Sequence, residues 1–178
     1  MTARTDPPAK NLMAWIRPFI LLCILLLLVG CQNSTDQIAF EAEALRPAEN
    51  FTETAQNGEI LSDDSDDWRI SPFFGGLVEV RPAYPNPVQT TDQLFLEVRV
   101  TGIDAVYGLD VIVYYPDGSV KVLYEDFQSP LPTGLSVIPI NPLLLGRFNT
   151  VESARDLHRM ILTDASGTII SYGDVRVQ

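Results

Sequence analysis

The stretch LDVIVYYPDGSVKVLY, residues 109–124, decides the fold. Residues 109–115 are almost all β-branched, aromatic or leucine, and they pack well on a pleated sheet. Pro116-Asp117-Gly118 follows. Proline presets one turn dihedral and glycine admits a positive φ, so the chain reverses here. Residues 120–124 then return as the hairpin partner. Working outward, period-two or short apolar runs recur at 76–81, 94–100, 135–140, 158–163 and 168–177. In 94–100, Leu94, Leu96, Val98 and Val100 share one face, and Glu97 and Arg99 the other. Asp164-Ala165-Ser166-Gly167 marks a second hairpin turn. Pro139 suits an edge strand, because it cannot donate to a ladder. The irregular stretch 141–156 holds Leu143-Leu144-Leu145, which is suited to plug one end of a core. About seven short strands and no long amphipathic helix predict an all-β, two-sheet sandwich, with a small barrel as the alternative. Leu96, Val98, Val111, Val113, Leu162 and Val175 are expected between the sheets.

Upstream the pattern differs. Arg4, Lys10 and Arg17 precede an unbroken apolar run, Phe19 to Val29. A bilayer span needs about 20 residues, so this run suits the apolar region of a removable secretory signal, with an uncut anchor helix as the alternative. It ends in Leu28-Val29-Gly30-Cys31. These four residues resemble the lipobox of bacterial lipoproteins. The resemblance implies cleavage between Gly30 and Cys31, diacylglycerol on the Cys31 sulfur and an acyl group such as palmitate on the new amino terminus. Gln32 stands where an aspartate would resemble an inner-membrane retention signal, so the outer membrane is the expected location in the cell envelope. With Cys23 removed and Cys31 lipidated, the mature chain has no thiol for catalysis, metal binding or a disulfide.

From residue 31 onward the chain holds nine Lys and Arg against twenty-two Asp and Glu, a formal charge of −13. That excludes nucleic acid as a partner, which needs a basic face. Residues 32–67 contain ten of the acids and one base, Arg46. The expected organisation is a signal peptide over 1–30, an acidic, partly disordered tether over 31–70 and a sandwich domain over 71–178. As flexible coil, the tether would span roughly 30–36 Å. A short helix from Ala39, stopped near Arg46-Pro47, is compatible with the sequence. Phe51, Ile60, Leu61 and Trp68 are more apolar than a linker requires, which suggests that the later half lies on the domain.

Tyr84-Pro85-Asn86-Pro87, followed by Leu94-Phe95-Leu96-Glu97-Val98, Val111-Ile112-Val113-Tyr114 and Asp117-Gly118, resembles the "YPNP" immunoglobulin-like domains of secreted bacterial proteins. These include type IX sorting domains and flagellar hook-cap domains. The resemblance covers about 83–177 and implies that the sandwich is of the immunoglobulin/fibronectin-III-like kind; it implies no function, because one fold hosts many. The glycine-aromatic motif and basic C-terminal end of such domains are not evident here.

Candidate chemistry is sparse. Asp63, Asp64, Asp66 and Asp67 are weak calcium candidates, because hard cations want several carboxylates; Trp68 occupies the place of the glycine an EF-hand loop requires. His158 is the single histidine and reads as structural. Tyr107, Tyr114, Tyr115, Tyr124 and Tyr172 could line a sugar or peptide face, but tyrosine is also a common strand residue. Asn33-Ser34-Thr35 and Asn50-Phe51-Thr52 match the glycosylation pattern by chance. No nucleophile elbow is present, and no cofactor is implied. The expected function is a lipid-anchored envelope module without catalytic activity, held to the membrane through Cys31 and binding an envelope or surface protein or glycan. A hydrolase using paired carboxylates and a passive spacer are the alternatives.

Overall fold

A computed structural model describes residues 35–178. Gly30, Cys31 and the expected signal peptide lie outside the described residues. The described chain is mostly β. A helix, α1, covers residues 35–44. The strands follow as β1 (Glu53–Thr54), β2 (Ile60–Ser62), β3 (Val78–Val80), β4 (Leu94–Val100), β5 (Leu109–Tyr114), β6 (Val120–Asp126), β7 (Gly134–Ile140), β8 (Leu157–Thr163) and β9 (Ile169–Arg176). A 3-10 turn, Pro142–Leu145, and a one-turn helix, α2 (Val151–Ala154), lie between β7 and β8.

The sandwich is built from a three-stranded sheet, β3-β4-β7, and a four-stranded sheet, β6-β5-β8-β9. All pairs within them are antiparallel. The hairpin of residues 109–124 forms as expected, with Tyr114 opposite Val120 and Leu109 opposite Asp126. Asp117 closes its turn by accepting from the Ser119 N–H at 3.1 Å. The seven sandwich strands match the seven expected from periodicity, with ends shifted by a residue or two.

Alternation dictates the core. Leu94, Leu96, Val98, Ile138 and Ile140 from one sheet meet Val111, Val113, Met160, Leu162 and Val175 from the other, all buried. Every residue expected between the sheets is among them or equally enclosed. Leu145 plugs one end, where its carbonyl accepts from the Tyr115 hydroxyl at 3.1 Å. Pro139 lies on β7, an edge strand, where its missing N–H costs no ladder bond.

The segment before the sandwich departs from expectation. From residue 37 the acidic segment is not a free tether but a strap laid over the four-stranded sheet. Gln37, Phe40 and Ala44 fall on one face of α1 at the i, i+3, i+4 spacing of a helix stripe. Phe40 and Ala44 join Ile161, Ile169 and Tyr172 in a second apolar cluster, on the outer face of that sheet. Burying one such side chain is worth roughly 1.5–3 kcal/mol. Three spaced contacts within a run of acids are too short a signal to outweigh composition, so the sequence reads as a linker. In the later half, Trp68 is buried, as its apolarity suggested, while Ile60 and Leu61 stay exposed on a small β1-β2 hairpin. The Trp68 indole lies directly on Gly173. A Cβ added there would come within 2.2 Å of the ring.

The strap also closes the edge of β9. Trp68 and Ser71 donate their N–H groups to the carbonyls of Tyr172 and Ile170, at 2.6 and 2.9 Å. Further along, the Asp67 carboxylate takes the Asp174 N–H at 3.0 Å, and Asn86 takes that of Arg176 at 2.9 Å. Val88 then donates to the Arg176 carbonyl at 2.9 Å. An open strand edge is a pairing hazard; here main chain and side chains occupy it from end to end.

Candidate functional site

The sites expected from sequence scatter. His158 is buried, with Nε2 2.7 Å from the Ala154 carbonyl oxygen, and burial holds its imidazole below the ordinary value. That bond joins β8 to α2, a structural role. The tyrosines do not share a face. Tyr115 points into the core, Tyr114 packs toward α1, Tyr107 sits in a loop, and Tyr172 is enclosed beneath the strap. Among the described residues no three His, Cys, Asp or Glu side chains gather as metal ligands would. Asp64 accepts from the Asp66 N–H at 3.1 Å. Asp66 takes the Tyr172 hydroxyl at 3.0 Å and pairs with Arg69. Asp67 turns inward to backbone donors. The acidic run is thus a set of local anchors.

What the structure does bring together is a polar cluster between strap and sheet. It lines a cleft of about 180 Å³ whose walls include Glu43, Arg46, Glu49, Asp67, Arg159 and Asp174. A shallower space of about 460 Å³, with Asp63, Asp64, Phe51 and Arg176 on its walls, adjoins it through Glu49, Asn50 and Asp64.

Its centre is a buried ion pair. Arg159 on β8 and Asp174 on β9 face each other across the ladder, with side chains 5% and 2% exposed. The pair is bidentate: Nε meets Oδ1, and Nη2 meets Oδ2 at 2.9 Å. The remaining guanidinium nitrogen, Nη1, donates to the carbonyls of Glu43 and Ala44 at 3.1 and 3.3 Å, satisfying the last turn of α1. Arg159 also stacks over the Tyr172 ring, 4.8 Å from its centroid. Asp174 Oδ2 accepts in addition from the Glu49 N–H at 3.1 Å.

Asp67 completes the cluster. Its Oδ2 accepts from the Thr52 N–H at 2.7 Å and its Oδ1 from the Asp174 N–H. Burial raises its carboxyl to about 7; the Thr52 bond pulls it back and the negative charge of Asp174 pushes it up. Burial also raises Asp174, against the pull of Arg159. For Arg159, burial disfavours the charge, but the bonds and charge of Asp174 outweigh it and the guanidinium stays ionised.

Asn86, from the Tyr-Pro-Asn-Pro stretch, fastens the other end. Its amide nitrogen donates to the carbonyls of Thr52 and Asp174, each at 2.9 Å, and its main chain pairs with Thr54. Asn86 is fully buried. The tetrapeptide had pointed to a fold; its asparagine is the bolt between strap, β1 and β9. Arg159 and Asp174 carried no sequence signal, since charged residues in strands read as solvent-facing.

Two carboxylates in a cleft, one titrating near neutrality, are parts that acid-base chemistry can use. Here all four of their oxygens already accept from protein donors, so the arrangement works first as a clamp. Comparison with protein-family models and with curated proteins finds no match for this chain. Among the described residues no helix is long and apolar enough to cross a membrane.

Proposed function

We propose that the chain is a lipid-anchored, extracytoplasmic binding or structural module of the bacterial cell envelope. The observation that carries this reading is Leu28-Val29-Gly30-Cys31 placed directly after an apolar run too short for a comfortable span. Cys31 is the lipid-bearing first residue of the mature protein. A single acyl chain holds a protein only weakly, whereas two or more hold it stably. Gln32, in place of the aspartate of an inner-membrane retention signal, favours the outer membrane. The tightly bonded β-sandwich supports a module that presents surface to another envelope protein or glycan, and the likeness of Tyr84–Pro87 to "YPNP" immunoglobulin-like domains is in keeping with it.

Mass spectrometry of the N-terminal peptide tests the anchor. An acylated peptide starting at Cys31 is expected, and Cys31→Ser should abolish acylation. An unmodified Cys31, or a mature chain starting elsewhere, defeats the reading. Crosslinking in intact cells, followed by recovery of the tagged chain, should return one reproducible partner; a passive spacer returns none.

One observation favours a second reading, a hydrolase: the Asp67 and Asp174 carboxylates sit together in a cleft, with Asp67 raised to about 7. Turnover on a panel of glycans and peptides that disappears in Asp67→Asn would establish it over the first.

A further inference from the structure

The two ends of the sandwich differ in what they expose. At one end lie the turn before β3, the β4-β5 loop, the β6-β7 loop and the β8-β9 loop. Hydrogen bonds tie them together. Gly102 donates to the Leu77 carbonyl at 3.2 Å, Gly108 to that of Gln128 at 2.9 Å, and Ala165 to that of Tyr107 at 2.8 Å. The first turns of α1 reach the same end, where Gln37 accepts from the Phe73 N–H at 3.3 Å and donates to the Ile169 carbonyl at 3.4 Å. This end presents Ile38, Phe73, Ile103, Tyr107 and Phe127 to solvent, with Ile103 84% and Phe127 81% exposed. The opposite end, where β5 turns into β6, exposes Val120 and Phe148, each next in sequence to a cation, Lys121 and Arg147.

Isolated exposed apolar residues are ordinary, but several on adjoining loops mark a contact surface. Residues 72–77, 101–108, 127–133 and 164–168 contain no lysine or arginine, and Asp104 and Asp164 are their only charges. Asp164 is bonded within its own turn, to Ser166 and Thr168. Such a surface does not suit anionic headgroups. It suits a zwitterionic lipid interface, into which phenylalanine, tyrosine and isoleucine side chains can dip while the loop backbone stays hydrated.

Chain length selects that occupant. Four residue steps separate Cys31 from Thr35, where α1 begins, so even fully extended chain reaches only roughly 14 Å. Strands of seven residues set the far end of the sandwich roughly 23 Å further away. We infer that the loop end carrying Ile38, Phe73, Ile103, Tyr107 and Phe127 is the membrane-facing surface of the protein, seated on a zwitterionic lipid interface. The inference rests on the proposed lipidation of Cys31. It replaces a long flexible stalk with a short leash and gives the domain a fixed up and down. The cleft at Asp67 and the hairpin turn at Pro116-Asp117-Gly118 then lie away from the lipid.

The test uses the full chain, processed in a bacterial host and reconstituted into phosphatidylcholine vesicles with brominated acyl chains. Ile103→Cys, Phe127→Cys and Phe148→Cys variants are each labelled with a thiol-reactive fluorophore. Labels at 103 and 127 should be quenched several-fold more strongly than the label at 148. Equal quenching at all three positions, or stronger quenching at 148, overturns the orientation while the anchor stands. Mass spectrometry of the same samples separates the other failure: fluorophore on Cys31 itself means that its sulfur carries no lipid, and both anchor and orientation fall. Quenching at 103 and 127 that weakens when anionic lipid is added supports the interface as described.

Discussion

The two flanks of the four-stranded sheet are made from similar strand sequence and end in different surroundings. On the β8-β9 flank nearly every residue is buried, on both faces. On the β6 flank the same sheet is half open, and Val120 and Val122 face water. The strap accounts for the difference. It covers the outer face of β8 and β9 and takes the hydrogen-bonding edge of β9, whereas no strand pairs with the outer edge of β6 among the described residues. A sandwich strand has one face assigned by its own alternation; the other is assigned by whatever chain lies over it. On the covered flank that face had to accept a charged pair, and the pair survives because both partners and the end of α1 are matched there.

The covered flank should therefore break hardest, and at Arg159. Arg159→Ala leaves Asp174 buried without its counter-charge, strips two carbonyls of α1 of their donor, and removes the cation stacked on Tyr172. Losing one partner of a buried ion pair costs about 3–5 kcal/mol. The urea midpoint should fall accordingly, and amides in 37–70 should exchange faster than those of β4 and β5. A loss below about 1 kcal/mol, within the range of surface ion pairs, would mean that the pair does not hold the strap.

The contrast also explains which parts were legible in the sequence. The hairpin at 109–124 and the β4 alternation are local: one side wet, one side dry, and a turn between. The strands therefore fell within a residue or two of their true ends. The strap was illegible because its evidence is nonlocal. Within the run 168–177, nothing local marks Ser171, Gly173 or Asp174 as a residue that another segment will cover. Each makes sense only with Asp67, Ile70 and Trp68 against it, about a hundred residues earlier in the chain. The apolar residues Phe51, Ile60, Leu61 and Trp68 hinted at this, and of them Trp68 is buried. The Asp63–Asp67 block read as a solvated linker because composition reports charge but not the donors it will meet. The cluster of Asp67, Arg159 and Asp174 was hidden for the same reason, while Asn86 had at least been marked within a motif.

A smaller effect, a slope rather than a step, is expected at Asp67. An unfolded aspartate titrates near 3.9. In the folded protein burial raises Asp67 to about 7. Between those values the folded chain holds a proton that the unfolded chain has released, so protons favour folding. The contribution is fully present below the unfolded value and is lost as pH rises through about 7. Asp174, raised by burial, acts in the same direction. His158, lowered by burial, acts in the opposite one and loses its contribution as pH falls. Asp67→Asn isolates the first of these. The stability gap between wild type and variant should favour the wild type more at pH 5 than at pH 8. A gap that is the same at both values would remove Asp67 from the clamp.

The smallest effect belongs to the open flank, and one substitution made on two adjacent strands sharpens the comparison. Val113 on β5 lies between the sheets and is fully buried; Val122 on β6, opposite Ile112, is 49% exposed on the outer face. Threonine has the shape of valine with a hydroxyl in place of one methyl. At Val113 that hydroxyl enters an apolar core lined by Val111, Met160 and Leu162. A buried hydroxyl without a partner costs about 1–3 kcal/mol. At Val122 the hydroxyl faces water, and threonine is as good a strand residue as valine, so Val122→Thr should stay within about 0.5 kcal/mol of wild type. Urea titration of the two variants reads the difference directly. If Val122→Thr cost as much as Val113→Thr, the outer face at β6 would not be open in solution: something, a second copy or a further stretch of chain, would cover it as the strap covers β8 and β9.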